Sequence, residues 1–133
     1  MTNFDVNVQF RPERLKAYSR NDVQMEIAID NRSDGLYWAE CEIKLQSPLS
    51  LAHDSELNNA RTRVGILKPF SGARKQIRLY TRPNNYPDEY SFSVIAYVYD
   101  SDGAIAERLE KKVSIDCAVE ESAAPVQDKK SSS

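Results

Sequence analysis

Apolar residues recur at every second position through most of this chain, and turn-forming residues break the alternation at short intervals. Val23, Met25, Ile27 and Ile29 alternate with Asp22, Gln24, Glu26 and Ala28. Tyr90, Phe92, Val94, Ala96 and Val98 do the same, as do Tyr37, Ala39, Cys41, Ile43 and Leu45. A period of two places one parity on a buried face and the other towards solvent, as a half-buried strand requires, whereas a helix would need a period near 3.6. Helix has no competing pattern of comparable length, so the expected fold class is all-β.

The boundaries come from turn chemistry. Phe4, Val6, Val8 and Phe10 alternate until Arg11-Pro12, which suits a strand at a sheet edge because proline cannot donate to a ladder. Asn31-Arg32-Ser33-Asp34-Gly35, Lys68-Pro69-Phe70-Ser71-Gly72, Arg82 to Asp88 and Asp100-Ser101-Asp102-Gly103 read as turns. Residues 46–62 show no sustained period and read as a long connection with one helical turn. Val64 and Ile66 then form a short strand. Residues 73–81 form the next, with Ile77 and Leu79 on its apolar face. Ile105, Leu109, Val113, Ile115 and Cys117 share one parity of a longer final strand. About seven strands with this spacing describe an antiparallel sandwich. Residues 1–119 are its expected domain, and residues 120–133, rich in Glu, Ser, Ala, Pro and Lys, are an expected disordered tail.

A chain of 133 residues with 41% hydrophobic and 29% charged residues suffices for one domain with a real core. The N-terminus lacks a basic region followed by an apolar run, and no stretch approaches the ~20 apolar residues that span a bilayer. A cytoplasmic protein without a membrane segment is the expectation. Neither cysteine has a second Cys or His at metal-ligand spacing, and no cofactor or small-molecule motif is present. The formal net charge of −2 argues against a dedicated nucleic-acid binder.

Pro87-Asp88-Glu89-Tyr90-Ser91-Phe92 resembles the tyrosine corner of immunoglobulin-like and fibronectin-type domains, with Phe92 where the family's second cysteine stands. Met25 and Ile27 lie where the first would be, and Trp38 resembles the family's core tryptophan. The resemblance covers roughly residues 4–117 and implies a single immunoglobulin-like β-sandwich, without specifying function. In that topology Cys41 and Cys117 lie on strands about 10 Å apart. That exceeds the ~7 Å Cα separation a disulfide tolerates, so two reduced, buried thiols are expected.

Charge is strongly segregated. Arg61, Arg63, Lys68, Arg74, Lys75, Arg78 and Arg82 fall within a stretch that holds no Asp or Glu. One reading is an anionic-partner or nucleic-acid surface carried by Arg61, Arg63, Arg74 and Arg78. The other is internal: the family's strand order pairs residues 73–81 with residues 22–30, so that Asp22 and Glu26 answer Arg74 and Arg78. That order also places Arg61 and Arg63 on the edge strand beside residues 73–81. Opposite charges across such a pair contribute roughly 0.2–1 kcal/mol each.

Two further constellations stand out. Asp30, Asp34, Asp100 and Asp102, with Asn31, lie in turns expected at one pole, where carboxylates could hold a divalent cation or serve the turns' own hydrogen bonds. On the strand beginning at Tyr90, the outward parity reads Ser91, Ser93, Ile95, Tyr97 and Tyr99, and Leu36 and Trp38 share the outward parity of its neighbour. Trp38, Ile95, Tyr97 and Tyr99 are therefore the candidate protein interface, either for a partner or for self-association. The alternative is that residues 46–62, or the tail, fold over this face. His53-Asp54 lacks any accompanying nucleophile motif, so an enzyme is not expected.

Overall fold

The computed structural model describes residues 3–119, which form eight strands and no helix. They are β1 (Phe4–Arg11), β2 (Arg14–Lys16), β3 (Asn21–Asn31), β4 (Tyr37–Lys44), β5 (Asn59–Leu67), β6 (Gly72–Thr81), β7 (Asp88–Tyr99) and β8 (Ile105–Ala118). No helix among the described residues is long and apolar enough to cross a membrane. The expected tail, residues 120–133, lies outside the described residues.

Two sheets, ordered β1-β3-β6 and β2-β8-β7-β4-β5, stack as a sandwich. The alternation explains the core directly. Val23, Met25, Ile27 and Ile29 of β3 meet Ala39, Cys41 and Ile43 of β4 and Phe92, Val94, Ala96 and Val98 of β7, all of them buried. Proline ends the pairing of β1 with β3, after which the chain crosses over and β2 adds parallel to β8. This three-residue β2 is the eighth strand, too short to show a period.

The tyrosine corner is present. Tyr90 Oη donates to the Tyr86 carbonyl at 2.6 Å and accepts from the Tyr86 N–H at 2.9 Å, pinning the turn before β7. Tyr90→Phe removes both bonds and keeps the ring. A loss of about 1 kcal/mol in urea denaturation is expected, and an unchanged midpoint would contradict the role.

The connection after β4 does not reach the outer face of β7. Leu49 enters the core, and Ser50 pairs with Tyr80 on β6 through two backbone bonds of 2.8 and 2.9 Å. It therefore caps part of the β6 edge. His53 is exposed, its ring edge-on to Tyr80 at 5.8 Å.

β5 corrects two expectations. It starts at Asn59 and runs nine residues, and it pairs with β4 instead of lying beside β6. The cause lies in the outward face of β4, where Glu40 and Glu42 stand opposite Arg63 and Arg61. A bulge at Val64 switches the parity of β5 midway, so Val64 and Leu67 are buried while Ile66, expected in the core, is 63% exposed. Gly65, at φ 150°, makes that bulge possible.

Both cysteines are free and buried. Cys41 lies opposite Ala96 in mid-β7, whereas Cys117 lies opposite Asp88 at the start of that strand, so the two are also separated along the sheet. Burial raises the Cys41 thiol to about 11, with Lys75 opposing and Glu40 reinforcing the shift. Burial raises Cys117 as well, offset by a 3.2 Å hydrogen bond from Asn85 Nδ2. A thiol raised on folding keeps its proton while the unfolded chain loses its own. Stability is therefore full below about pH 9 and declines towards pH 11, by roughly 2–3 kcal/mol from Cys41. Cys41→Ala is expected to flatten that decline in pH-dependent denaturation, and an identical slope would refute the assignment.

Candidate interaction face of the five-stranded sheet

The registers of β5, β4, β7 and β8 set the outer face of this sheet into transverse rows. The first row reads Ile66, Trp38, Tyr99, Ile105. The second reads Arg63, Glu40, Tyr97, Arg108, and the third Arg61, Glu42, Ile95, Glu110. Strands ~4.8 Å apart make each row about 14 Å wide. Polarity is thus graded along the strands: an apolar row at the pole of the β3–β4 turn, then rows of alternating charge.

The first row depends on a second irregularity. A register shift between Val98 and Tyr99 places Ile105 opposite Tyr99 on the outer face, 57% exposed, not in the core with Leu109 and Val113 as its numbering parity implies. Trp38 likewise leaves the family's core position. Its ring stacks on Tyr99 at 4.2 Å and 18°, an arrangement that contributes about 0.5–1.5 kcal/mol beyond area burial. Arg63 lies over Trp38, 4.9 Å from the ring centroid. Leu36, 56% exposed, borders the same end, where Leu36, Tyr37, Trp38, Arg63, Gly65, Ile66 and Ser101 line a largely apolar cavity of about 270 Å³.

The second and third rows are held by charge. Arg61 Nε donates to Glu40 Oε1 at 3.0 Å, its other arm reaches Tyr99 Oη, and its guanidinium lies 4.0 Å over Tyr97. Tyr97 Oη donates to Glu42 at 3.0 Å, and Arg108 approaches the same ring at 5.9 Å. Among the described residues, the aromatic rings are therefore covered by arginines of β5 and β8 and not by the 46–58 connection. Ile95 is 1% exposed beneath this layer and offers no contact surface.

Two candidate sites expected separately thus partly merge. Arg61 and Arg63 join Trp38, Tyr97 and Tyr99 on one face, while Arg74 and Arg78 stay on the other sheet. There Arg78 makes the expected ion pair with Asp22, at 2.9 Å. Arg74 stands opposite Ala28 and makes no ion pair with Glu26. Glu40 and Glu42, alternating one residue apart, and Gly65, a glycine inside a strand, were the sequence signals for this rearrangement.

The acidic pole forms without converging. Asp100 Oδ1 accepts from the N–H groups of Asp102 and Ala104 at 2.9 and 3.0 Å, which is its own turn's chemistry. Asp34 is exposed, Asp30 packs against Gly72, and no group of three or more His, Cys, Asp or Glu side chains among the described residues could hold a metal ion. Asn31 is 2% exposed and structural: its Nδ2 reaches the carbonyls of Gly35, Leu67 and Lys68 at 2.8, 3.2 and 3.1 Å.

No protein-family model matches the chain, and no curated protein matches it in sequence. Among solved structures it is similar to a non-cellulosomal cohesin from the hyperthermophilic archaeon Archaeoglobus fulgidus, at TM-score 0.52 and 14% identity, over 92% of this chain and 96% of that one. The likeness is one of fold. It supports a β-sandwich fold for this chain and no specific family.

Proposed function

We propose that the chain is a non-catalytic binding module that engages a protein partner through the apolar end of this outer face. The observation that carries the proposal is the first row. Ile66, Leu36 and Ile105, exposed by 63%, 56% and 57%, surround the Trp38–Tyr99 stack at one end of one sheet. Aromatic residues and arginine dominate interface energetics, and the arginines here are already oriented by the rings and carboxylates beneath them. A catalytic role has less support: both thiols are buried with raised pKa, which disfavours the nucleophilic thiolate.

The test is site-specific photo-crosslinking in the cell that makes the protein, with the crosslinker at position 66 and, as control, at position 76 on the other sheet. One protein captured at 66 and absent at 76, and lost when Trp38→Ala is added, is the expected result. Equal labelling at both positions would overturn the proposal.

A further inference from the structure

β5 is an open edge, and the edge strand that faces it across the sandwich is basic as well. It pairs on one side with β4 only. β6 lies against it across the sandwich, close enough that a Cβ at Gly65 would stand 3.1 Å from that of Ala73. These two edge strands and their loops occupy residues 57–87, which contain no Asp or Glu. Among the described residues, Arg61 and Arg78 have carboxylate partners, whereas Arg63, Lys68, Arg74, Lys75 and Arg82 have none within ion-pair distance. Lys75 sits opposite Ile27 on the inward parity of β6, half-buried at this seam. One side of an acidic protein is therefore a basic wall built on two edge strands.

Other edges of the sandwich are partly closed. Ser50 occupies the β6 edge at Tyr80, and β2 occupies the end of the β8 edge. β5 has no such cover among the described residues, and at its end lies the apolar cavity with Arg63 on its rim. Arg61 and Arg63 also select the occupant. A second copy pairing β5 with β5 would set these arginines against each other, and like charges directly opposite are destabilising. An acidic strand meets the opposite situation.

We infer that β5 accepts an extended acidic segment of a partner protein as a sixth strand of the sheet. It rests on the binding face proposed above and names the partner's chemistry. The rows fix the pattern. A strand laid antiparallel to β5 presents, on the outer face, an apolar residue beside Ile66, then a carboxylate beside Arg63 and another beside Arg61. That order reads apolar-x-acidic-x-acidic from N- to C-terminus. Main-chain bonds supply the docking, the cavity beside Trp38 takes the apolar side chain, and the two arginines supply selectivity.

The experiment uses the full chain and fluorescein-labelled capped peptides read by anisotropy. The probe contains Leu-Thr-Glu-Thr-Glu with a flanking Thr at each end, compared with its Leu-Thr-Lys-Thr-Lys counterpart and with single-stranded oligo-dT. The acidic peptide binds and the basic one does not; Arg61→Glu and Arg63→Glu each weaken binding by ~10-fold or more, with the thermal melt of each variant recorded to verify folding. Backbone N-methylation at alternate residues of the peptide supplies a readout independent of the variants. One methylation phase abolishes binding and the other leaves it intact, because only alternate N–H groups face β5. Equal binding by both phases, or by acidic and basic peptides, overturns the proposal. So does oligo-dT binding in place of the peptide, which would mark a nucleic-acid surface, or a concentration-dependent dimer abolished by Arg63→Glu, which would mark a second copy. Peptide failure alongside partner capture at position 66 would leave the binding face standing and remove the edge-strand occupant.

Discussion

Asn31→Asp is expected to cost about 4 kcal/mol at pH 7, the largest loss from any isosteric change in this chain. Asn31 Nδ2 is the donor to the carbonyls of Gly35, Leu67 and Lys68, and Oδ1 accepts from the Ser33 N–H and Oγ at 2.9 and 2.7 Å. One buried amide thus ties the β3–β4 turn to the end of β5 and the loop before β6. Aspartate keeps the acceptor and replaces the donor by a carboxylate facing three carbonyl oxygens. Burial and those dipoles raise its folded pKa above the unfolded value near 4. The penalty is therefore full above the raised folded pKa, shrinks as the pH falls from there towards about 4, and is smallest below that, where the protonated acid can donate once. Urea denaturation of variant against wild type at pH 7 and pH 4 reads both the size and the sign. A difference below 1 kcal/mol at pH 7 would show that the three carbonyls find other donors. Asn31→Ala, without the charge, is expected to lose about 2–3 kcal/mol and to show no such pH dependence.

Gly65→Val is expected to cost about 3 kcal/mol and to disturb the candidate face at the same time. At φ 150° an L side chain is strained by about 1–3 kcal/mol, and the new Cβ would approach Ala73 Cβ at 3.1 Å. Relief of that strain removes the bulge, and without the bulge Arg61 and Arg63 cannot both face outward with Ile66. Trp38 is the single tryptophan, so its emission reports directly on the loss of Arg63 and Tyr99 around it. Adding Ala73→Gly relieves the contact and leaves the φ strain, so a partial recovery is expected. Full recovery would show that sterics alone made glycine necessary, and a silent Gly65→Val would show that the bulge does not depend on it.

The elements were legible where period and turn chemistry agreed. The strands containing Val23 to Ile29, Tyr37 to Ile43 and Tyr90 to Val98 follow from alternation, and the tyrosine corner at Tyr90 from its local motif. The strand from Asn59 was illegible over its first half. Arg61, Arg63 and the bulged Val64 do not alternate cleanly, so the segment read as connection. Ile105 was misplaced for a related reason, since a single extra residue reverses every facing assignment beyond it. Asn31 carried the residue type of a turn or a cation ligand, and only its burial beneath three carbonyls distinguishes the structural role. Of the interface candidates Trp38, Ile95, Tyr97 and Tyr99, parity put all four on the outer face, yet Ile95 lies under the arginine layer.

The sequence alone determined that this is a β-sandwich with a basic stretch and an aromatic outer face, because period, turn residues and charge segregation are local properties of the chain. Which strand those basic residues would join was decided only by the tertiary structure. Strand pairing is non-local: Glu40 and Glu42 on β4 drew in Arg61 and Arg63, while Asp22 on β3 took Arg78. Two one-residue bulges then chose which side chains face outward. The charge island was in that way divided between two sheets, and two of its seven residues, Arg61 and Arg63, became part of the aromatic face.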